Sequence, residues 1–328
     1  MLEVVKIHNN GTIGLERDNR YCYALVVNRV CDNVVVVPIT DGKNEVSREK
    51  INFFCGEEET VEGKLDFFRM HSIDASKIKE EVGKVKGPFF DMAELGYIRH
   101  IGKLIKREDD VEIILLHLLK TSGIETDTQT FYKMCKQIHK FAQCCQVVKK
   151  DNKEQEELFF KEGDICLINF DLNSEGAEIQ KKRFGVITEY SENIIQCVPI
   201  SSKINEGYLT LMEDNVWYPK YNTTIVNGSV YPEQVKSFDS IRVIKKIGHL
   251  KHNYRIELYC EIHEKNFLPK GTPKGRIKNK TRKEAYERKV ISFIKGIIAD
   301  CDEQERKRIY KSKDIFIRKL WECMDQKA

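Results

Sequence analysis

Between residues 181 and 203 the chain reads KKRFGVITEYSENIIQCVPISSK, in which two apolar runs, Phe184 to Thr188 and Ile194 to Ile200, flank the polar Ser191-Glu192-Asn193. Short runs rich in β-branched residues, bounded by turn formers, predict two strands of a hairpin. Residues 20–40, RYCYALVVNRVCDNVVVVPIT, have the same layout and end on Thr40 where the later stretch ends on Ser201. One pattern of apolar and polar positions is therefore written twice.

The correspondence extends well beyond the hairpin. Gly11 in NNGTIGLERD aligns with Gly163 in KEGDICLINFD at an offset of 152, and Pro38-Ile39-Thr40 aligns with Pro199-Ile200-Ser201 at 161. Ser72-Ile73-Asp74 aligns with Ser237-Phe238-Asp239 at 165, with Ile78 then falling on Val243, Val82 on Ile247 and Gly83 on Gly248. Offsets that grow only at turns predict a duplicated domain with loop insertions, at a period far too long for a solenoid. The first such insertion would be DLNSEGAEIQKK, before Arg183, against a much shorter RDN in the first copy. Loops on a rigid barrel are common places for binding chemistry, so the two copies are expected to differ in function.

Helical periodicity follows each copy. FFDMAELGYIRHIGKLIK, REDDVEIILLHLLKTSG and DTQTFYKMCKQIHKFAQCCQVVKK come after the first; in the last, Met134, Ile138, Phe141, Cys145 and Val148 recur at helical spacing. Gly123 is a stop signal for the preceding helix, and Thr126 or Asp127 a cap for the next. The charged KKDNKEQEE at 149–157 is the expected joint, and YERKVISFIKGIIADC and KDIFIRKLWECM predict two more helices after the second copy. The expected organisation is α+β: a small barrel over 1–87, a helical segment over 88–157, a second barrel over 158–268 and basic helices over 269–328.

Composition narrows the class. At 328 residues the chain exceeds what one core usually fills, and 41% apolar residues suffice to build more than one. The formal net charge of +4 says little, so its distribution matters more; KGTPKGRIKNKTRKEAYERK at 270–289 reads as a solvated hinge or as a phosphate-binding patch. Eleven scattered cysteines without a CxxC pair fit buried thiols in a reducing cytosol. No signal-like apolar core opens the chain and no apolar run reaches membrane-spanning length, so a soluble cytoplasmic protein is expected.

With these residues in view, each half resembles the MazF/PemK (Kid) family of toxin endoribonucleases. In the second copy the family's elements occur in order: Gly163-Asp164-Ile165, then Arg183-Phe184-Gly185-Val186-Ile187, then Pro199-Ile200-Ser201, then Gln234-Val235-Lys236-Ser237, and finally Lys246 to Leu250. The resemblance covers about residues 161–252 and implies an SH3-like barrel. Two departures stand out, because the family usually has proline where Phe184 stands and arginine is common at Lys236. In the first copy Cys22 aligns with Arg183, Arg20 lies two residues earlier, and His71 aligns with Lys236. That copy is degenerate in this respect: it keeps the Thr40 hydroxyl and loses the aligned cation.

The resemblance implies metal-independent cleavage of single-stranded RNA, in which the 2′-hydroxyl attacks the adjacent phosphate, with no cofactor and no metal. The transition state is crowded and multiply charged, which calls for cationic and hydroxyl donors aimed at its oxygens. Arginine grips two phosphate oxygens with one planar fork and stays charged, which also makes it a poor base. Arg183 is thus assigned to clamping the phosphate and Ser201 to hydrogen-bonding it, with Lys182, Glu175, Ser202, Lys203, Lys236 and Thr40 as surrounding substrate contacts. The base stays open among Glu175, Glu178 and Lys182. A requirement for the 2′-hydroxyl selects RNA over DNA. The family also implies an antitoxin protein as partner and a dimer, which two tandem barrels could reproduce as an intramolecular pseudo-dimer. The alternative is a duplicated module that binds RNA or protein without cutting it.

Other signals have plainer readings. An arginine before one strand and a serine after another are common, and Thr40 reads equally as a turn residue closing its strand. His249, His252, Cys260 and His263 suggest zinc, but if YRIELYCEI is a strand then Cys260 and His263 point to opposite faces. His117 reads as a buried core histidine. Trp217, Tyr218, Tyr221 and Tyr231 could stack bases or simply fill a small barrel.

Overall fold

In this computed structural model the described residues are 3–8, 21–40, 51–55, 59–85, 91–104, 107–124, 126–129, 131–136, 138, 160–170, 181–191, 193–220, 224–268 and 279–297. They divide into two compact units, one formed by Met1–Glu94 with Leu158–Leu268 and the other by Leu95–Glu157 with Pro269–Ala328. Both strand-rich segments thus share the first unit.

The runs of β-branched residues form long strands, as their stiff side chains favour. In the first segment β1 (Glu3–His8), β2 (Tyr21–Val30), β3 (Asn33–Thr40), β4 (Ile51–Cys55), β5 (Glu59–Leu65), β6 (His71–Asp74) and β7 (Ile78–Lys84) make a seven-stranded sheet in the order β4-β5-β3-β2-β1-β7, with β6 on β3. In the second, β8 (Asp164–Asn169), β9 (Lys182–Ser191), β10 (Ile194–Ser201), β11 (Thr210–Leu211), β12 (Val216–Trp217), β13 (Gly228–Val230), β14 (Lys236–Asp239) and β15 (Val243–Leu250) run in the order β11-β13-β10-β9-β8-β15-β12, with β14 on β10. The two edge strands of this second sheet, β11 and β12, are joined through the 3₁₀ turn Glu213–Asn215, so the sheet curls nearly into a barrel.

The registers correct the opening of the sequence alignment. Ile7 opposes Cys22 in the first sheet and Ile168 opposes Arg183 in the second. An offset of 161 therefore holds from the first strand onward, and β1 answers to β8 in place of the stretch around Gly11. Twelve residues stand between β1 and β2 and twelve between β8 and β9, so the expected insertion before Arg183 does not exist. The offset grows to 165 only between β3 and β5, where Thr40 opposes Lys64 and Ser201 opposes Ser229.

The cores occupy corresponding positions as well. Val5, Ile7, Val26, Val34, Val36 and Ile73 pack together in the first sheet, and Cys166, Ile168, Ile187, Ile195, Cys197 and Phe238 at the same offsets in the second. Each fully buried aliphatic side chain contributes roughly 1.5–3 kcal/mol, so six matched positions carry much of either core.

Within the first unit the two sheets are joined by buried hydrogen bonds that run both ways. Asn33 Nδ2 donates to the Glu233 carbonyl (2.9 Å), while Gln196 Nε2 donates to the carbonyls of Phe67 (2.7 Å) and Phe68 (2.9 Å). The Ser72 amide donates to the Val235 carbonyl (2.7 Å), and the amide of Ser237, its counterpart, donates to His71 Nδ1 (2.9 Å).

Residues 252–267 correct another expectation, because they form a helix. This helix, α3 (His252–Phe267), follows α1 (Met92–Lys103) and α2 (Glu108–Ser122) and precedes α4 (Asn279–Ile297). Its buried residues, among them Ile256, Tyr259, Cys260 and His263, recur every three to four positions. The alternation in YRIELYCEI fits a strand as well, and the 16-residue length decides for the helix. Gly123 closes α2 in a left-handed conformation (φ 65°), as a glycine stop signal should. Phe141, Cys145, Val148, the 149–157 joint and the KDIFIRKLWECM helix lie outside the described residues.

Candidate active site on the second sheet

Strands β9 and β10 are a two-stranded ladder whose last rung is Pro199 opposite Gly185. Two residues past that rung stand Ser201 on β10 and Arg183 on β9, so both occupy the face that carries Gly185 and Pro199. Beyond the rung the strands part: Arg183 stays paired with Ile168 on β8, and Ser201 turns to Ser229 on β13. The parting leaves both side chains half-buried at one end of the sheet, with Lys182, Ser202 and Lys203 exposed beside them. Among the described residues no carboxylate forms an ion pair with Arg183.

Ser201 is held by its surroundings. Its Oγ accepts from the Lys203 amide (3.3 Å), which leaves the hydroxyl hydrogen for donation elsewhere. Ser229 Oγ accepts from the Asn205 amide (2.9 Å), so the chain leaving Ser201 is pinned twice. A feature missed in the sequence sits against it. Gly228, at φ 152°, runs so close to β10 that a Cβ there would fall 1.8 Å from the Ser201 carbonyl oxygen. Gly63, its counterpart at offset 165, crosses Thr40 in the same manner, with a Cβ that would fall 2.6 Å from that carbonyl oxygen. Each glycine precedes the residue that pairs with the Ser or Thr, Ser229 in the second sheet and Lys64 in the first.

The other expected residues scatter. Lys236 is 3% exposed and sits opposite Cys197, four residues along β10 from Ser201, so it stands apart from the exposed group. Thr40 lies half-buried at the matching place in the first sheet. Glu175, Glu178 and Tyr221 lie outside the described residues. Cys22, at the position of Arg183, packs on the first core, and burial pushes its thiol up to about 12, so it remains neutral and offers neither charge nor nucleophile.

Cys260 and His263 are three apart on one helix and share a face, but His263 Nε2 lies 3.3 Å from Glu94 Oε1, and no group of three or more ligands that could hold a metal ion occurs among the described residues. His117 is only partly buried on α2. Cys22, Cys31, Cys135, Cys166, Cys197 and Cys260 are free thiols, and no described helix is long and apolar enough to cross a membrane.

A half-buried arginine and a half-buried alcohol at the parting ends of two adjacent strands are groups able to donate hydrogen bonds to a phosphate. Residues 161–264 match the PemK-like, MazF-like toxins of type II toxin–antitoxin systems. The match begins before β8 and ends within α3, and so contains Arg183, Ser201 and the second sheet entire. PemK-like and MazF-like toxins are endoribonucleases that bind RNA and antitoxins. Two curated proteins share a different kind of likeness: the NADH-quinone oxidoreductase C polypeptides of Brucella abortus strain 2308 and of biovar 1 strain 9-941 are each 32% identical over 97 residues, covering 30% of this chain. The chain spans about half the length (46%) of those relatives.

Proposed function

We propose that the second sheet is a metal-independent endoribonuclease of the PemK/MazF type acting on single-stranded RNA. The observation that carries this reading is the position of Arg183 and Ser201, two residues past the last shared rung of adjacent strands and on one face of the sheet. In the proposed reaction the RNA 2′-oxygen forms a bond to the adjacent phosphorus as the bond to the 5′-oxygen breaks. A 2′,3′-cyclic phosphate and a 5′-hydroxyl end result. The 2′-hydroxyl proton passes to a base, for which Glu175, Glu178 and Lys182 are the candidates, and a proton is delivered to the leaving 5′-oxygen. The Arg183 guanidinium grips the non-bridging oxygens as their charge grows, and the Ser201 hydroxyl donates to the same group. Lys182, Ser202 and Lys203 line the approach.

The first sheet is the second half of the proposal. The Ser72 amide donates to the Val235 carbonyl and the Ser237 hydroxyl to the Met70 carbonyl, both pairs standing at offset 165, which supports the reciprocity of an isologous dimer interface. We read the unit as an intramolecular pseudo-dimer of duplicated barrels in which the first keeps shape and has lost chemistry, with the neutral Cys22 in place of the arginine.

The test is cleavage of single-stranded RNA by the purified chain in EDTA. Cleavage should persist without metal, and Arg183→Ala or Ser201→Ala should each lower the rate on the order of a hundredfold or more, as losing one transition-state donor does. A non-catalytic binding module is favoured by one observation, the engagement of Ser201 Oγ by the Lys203 amide as a turn acceptor. Binding of RNA without cleavage would decide for it.

A further inference from the structure

Three neighbouring strands of the second sheet bring Asp164, His249 and Trp217 into one row. Asp164 on β8 opposes His249 on β15, and His249 opposes Trp217 on β12. Directly opposed residues of antiparallel strands project to the same face, with Cβ atoms about 5 Å apart. The row lies four residues along β8 from Ile168, the partner of Arg183, which is roughly 13 Å of strand. It is thus separate from the Arg183 and Ser201 end.

Trp217 is 66% exposed. A lone exposed apolar residue is ordinary, and what distinguishes this one is its setting. Lys251 Nζ stands 5.3 Å from the indole centroid, over one face of the ring. His249 Nδ1 bonds Asp164 Oδ1 (2.8 Å), and Lys246 Nζ bonds Asp164 Oδ2 (2.7 Å). The Asp164 side chain is fully buried, and although burial opposes its ionisation, the bonds from His249 and Lys246 outweigh that and hold the carboxyl below its usual range. The carboxylate therefore serves as an anchor beneath the surface, fixing His249 through Nδ1. Gly163, at φ 91°, has no side chain to lay over the other edge of the imidazole, where a Cβ would stand 3.2 Å from Cε1 and 3.4 Å from Nε2. What the row offers to solvent is a flat π-surface flanked by an ammonium and an oriented imidazole.

We propose that Trp217 is a stacking subsite for an unpaired base of single-stranded RNA, with Lys251 and His249 beside the adjoining phosphate. A base has the π-face to match the indole and carries its charge on the backbone alongside, which is the pairing single-strand binders use. An acidic peptide would satisfy the lysine and leave the open indole unmatched. The choice of ligand rests on the reading of the second sheet as acting on RNA.

The chain has two tryptophans, so Trp321→Phe leaves Trp217 as its sole emitter. Titrating that full-length protein with a short 2′-O-methyl oligonucleotide, which the proposed chemistry cannot cut, should quench Trp217 saturably. An abasic oligonucleotide of equal charge should not. Trp217→Ala should weaken binding about tenfold or more and Trp217→Phe much less, while Lys251→Ala should flatten the salt dependence. In cleavage, Trp217→Ala should raise KM with kcat nearly unchanged. Absence of quenching, equal quenching by the abasic chain, or quenching by a poly-glutamate peptide would overturn the proposal, as would a fall in kcat at unchanged KM. Because the oligonucleotide is inert, quenching that survives alongside failed cleavage of ordinary RNA would sink the nuclease reading and leave this subsite standing.

Discussion

The candidate site depends as much on two glycines as on its polar groups. At Gly228 a methyl group would be driven into the Ser201 carbonyl, and the positive φ of that residue resists any side chain besides. Gly228→Ala should therefore destabilise the protein by about 3 kcal/mol or force β13 away from β10, carrying Ser201 with it. Gly63→Ala meets a wider approach at ordinary φ and acts on the first sheet, so it should cost less stability and leave the chemistry at Ser201 intact. Urea denaturation of both variants, set beside their RNA cleavage rates, checks this; equal losses would mean that the close crossing does not matter. The pair was visible in the sequence only once the correct offset of 165 was known, because a glycine between polar residues carries no signal of which carbonyl it must clear.

At the scale of elements, the β9–β10 hairpin could be read from its two apolar runs and its turn, and with it the places of Arg183 and Ser201. Two other elements could not. Strand β1 hides in a short apolar run near the N-terminus, where the conspicuous glycine at 11 drew the alignment past it. Helix α3 hides behind an alternation that satisfies both periods. That helix matters for the site because it fastens the segment leaving Ser201. Both carboxylate oxygens of Glu261 accept from the Leu209 amide (2.8 and 2.9 Å), and Lys265 Nζ bonds the Gly207 carbonyl (2.6 Å) while lying 4.1 Å from the Tyr208 ring centroid. Removing the charged acceptor should loosen residues 202–209 by about 1–3 kcal/mol, and local opening governs nicking when reclosure is fast. Limited trypsinolysis after Lys203 should accordingly accelerate roughly five- to a hundredfold in Glu261→Ala and much less in Glu261→Gln, which retains an acceptor. An unchanged cleavage rate in both would show that the helix does not hold the segment.

For the unit formed by the two sheets, the junction carries a pH dependence that neither sheet would have alone. His71 is buried from the first sheet against Ser237 of the second, and burial foremost, then the cations Lys236, Lys77 and Arg242, hold its pKa well below the ordinary histidine value. The unfolded chain, with histidine near 6.5, then binds a proton that the folded junction refuses. This contribution is constant above about pH 6.5, and stability falls as pH drops below it, by up to roughly 1.4 kcal/mol per pH unit. Glu261 works the other way in the same range. Burial above all, with Glu233 and Glu264 nearby, pushes it up to about 7, so its contribution favours the folded state at low pH and is lost as pH rises toward 7. The wild-type profile is a sum of opposed slopes, and single variants separate them. His71→Asn keeps an acceptor for the Ser237 amide and leaves Glu261 unopposed, so its urea midpoint should rise relative to that of the wild type when pH is lowered from 7.5 to 5.5. Glu261→Gln should move the other way, its midpoint falling over the same interval, since it retains only the histidine penalty. If His71→Asn follows the wild-type curve, the imidazole is not sealed between the sheets, and the joined unit on which the pseudo-dimer reading depends would have to be given up.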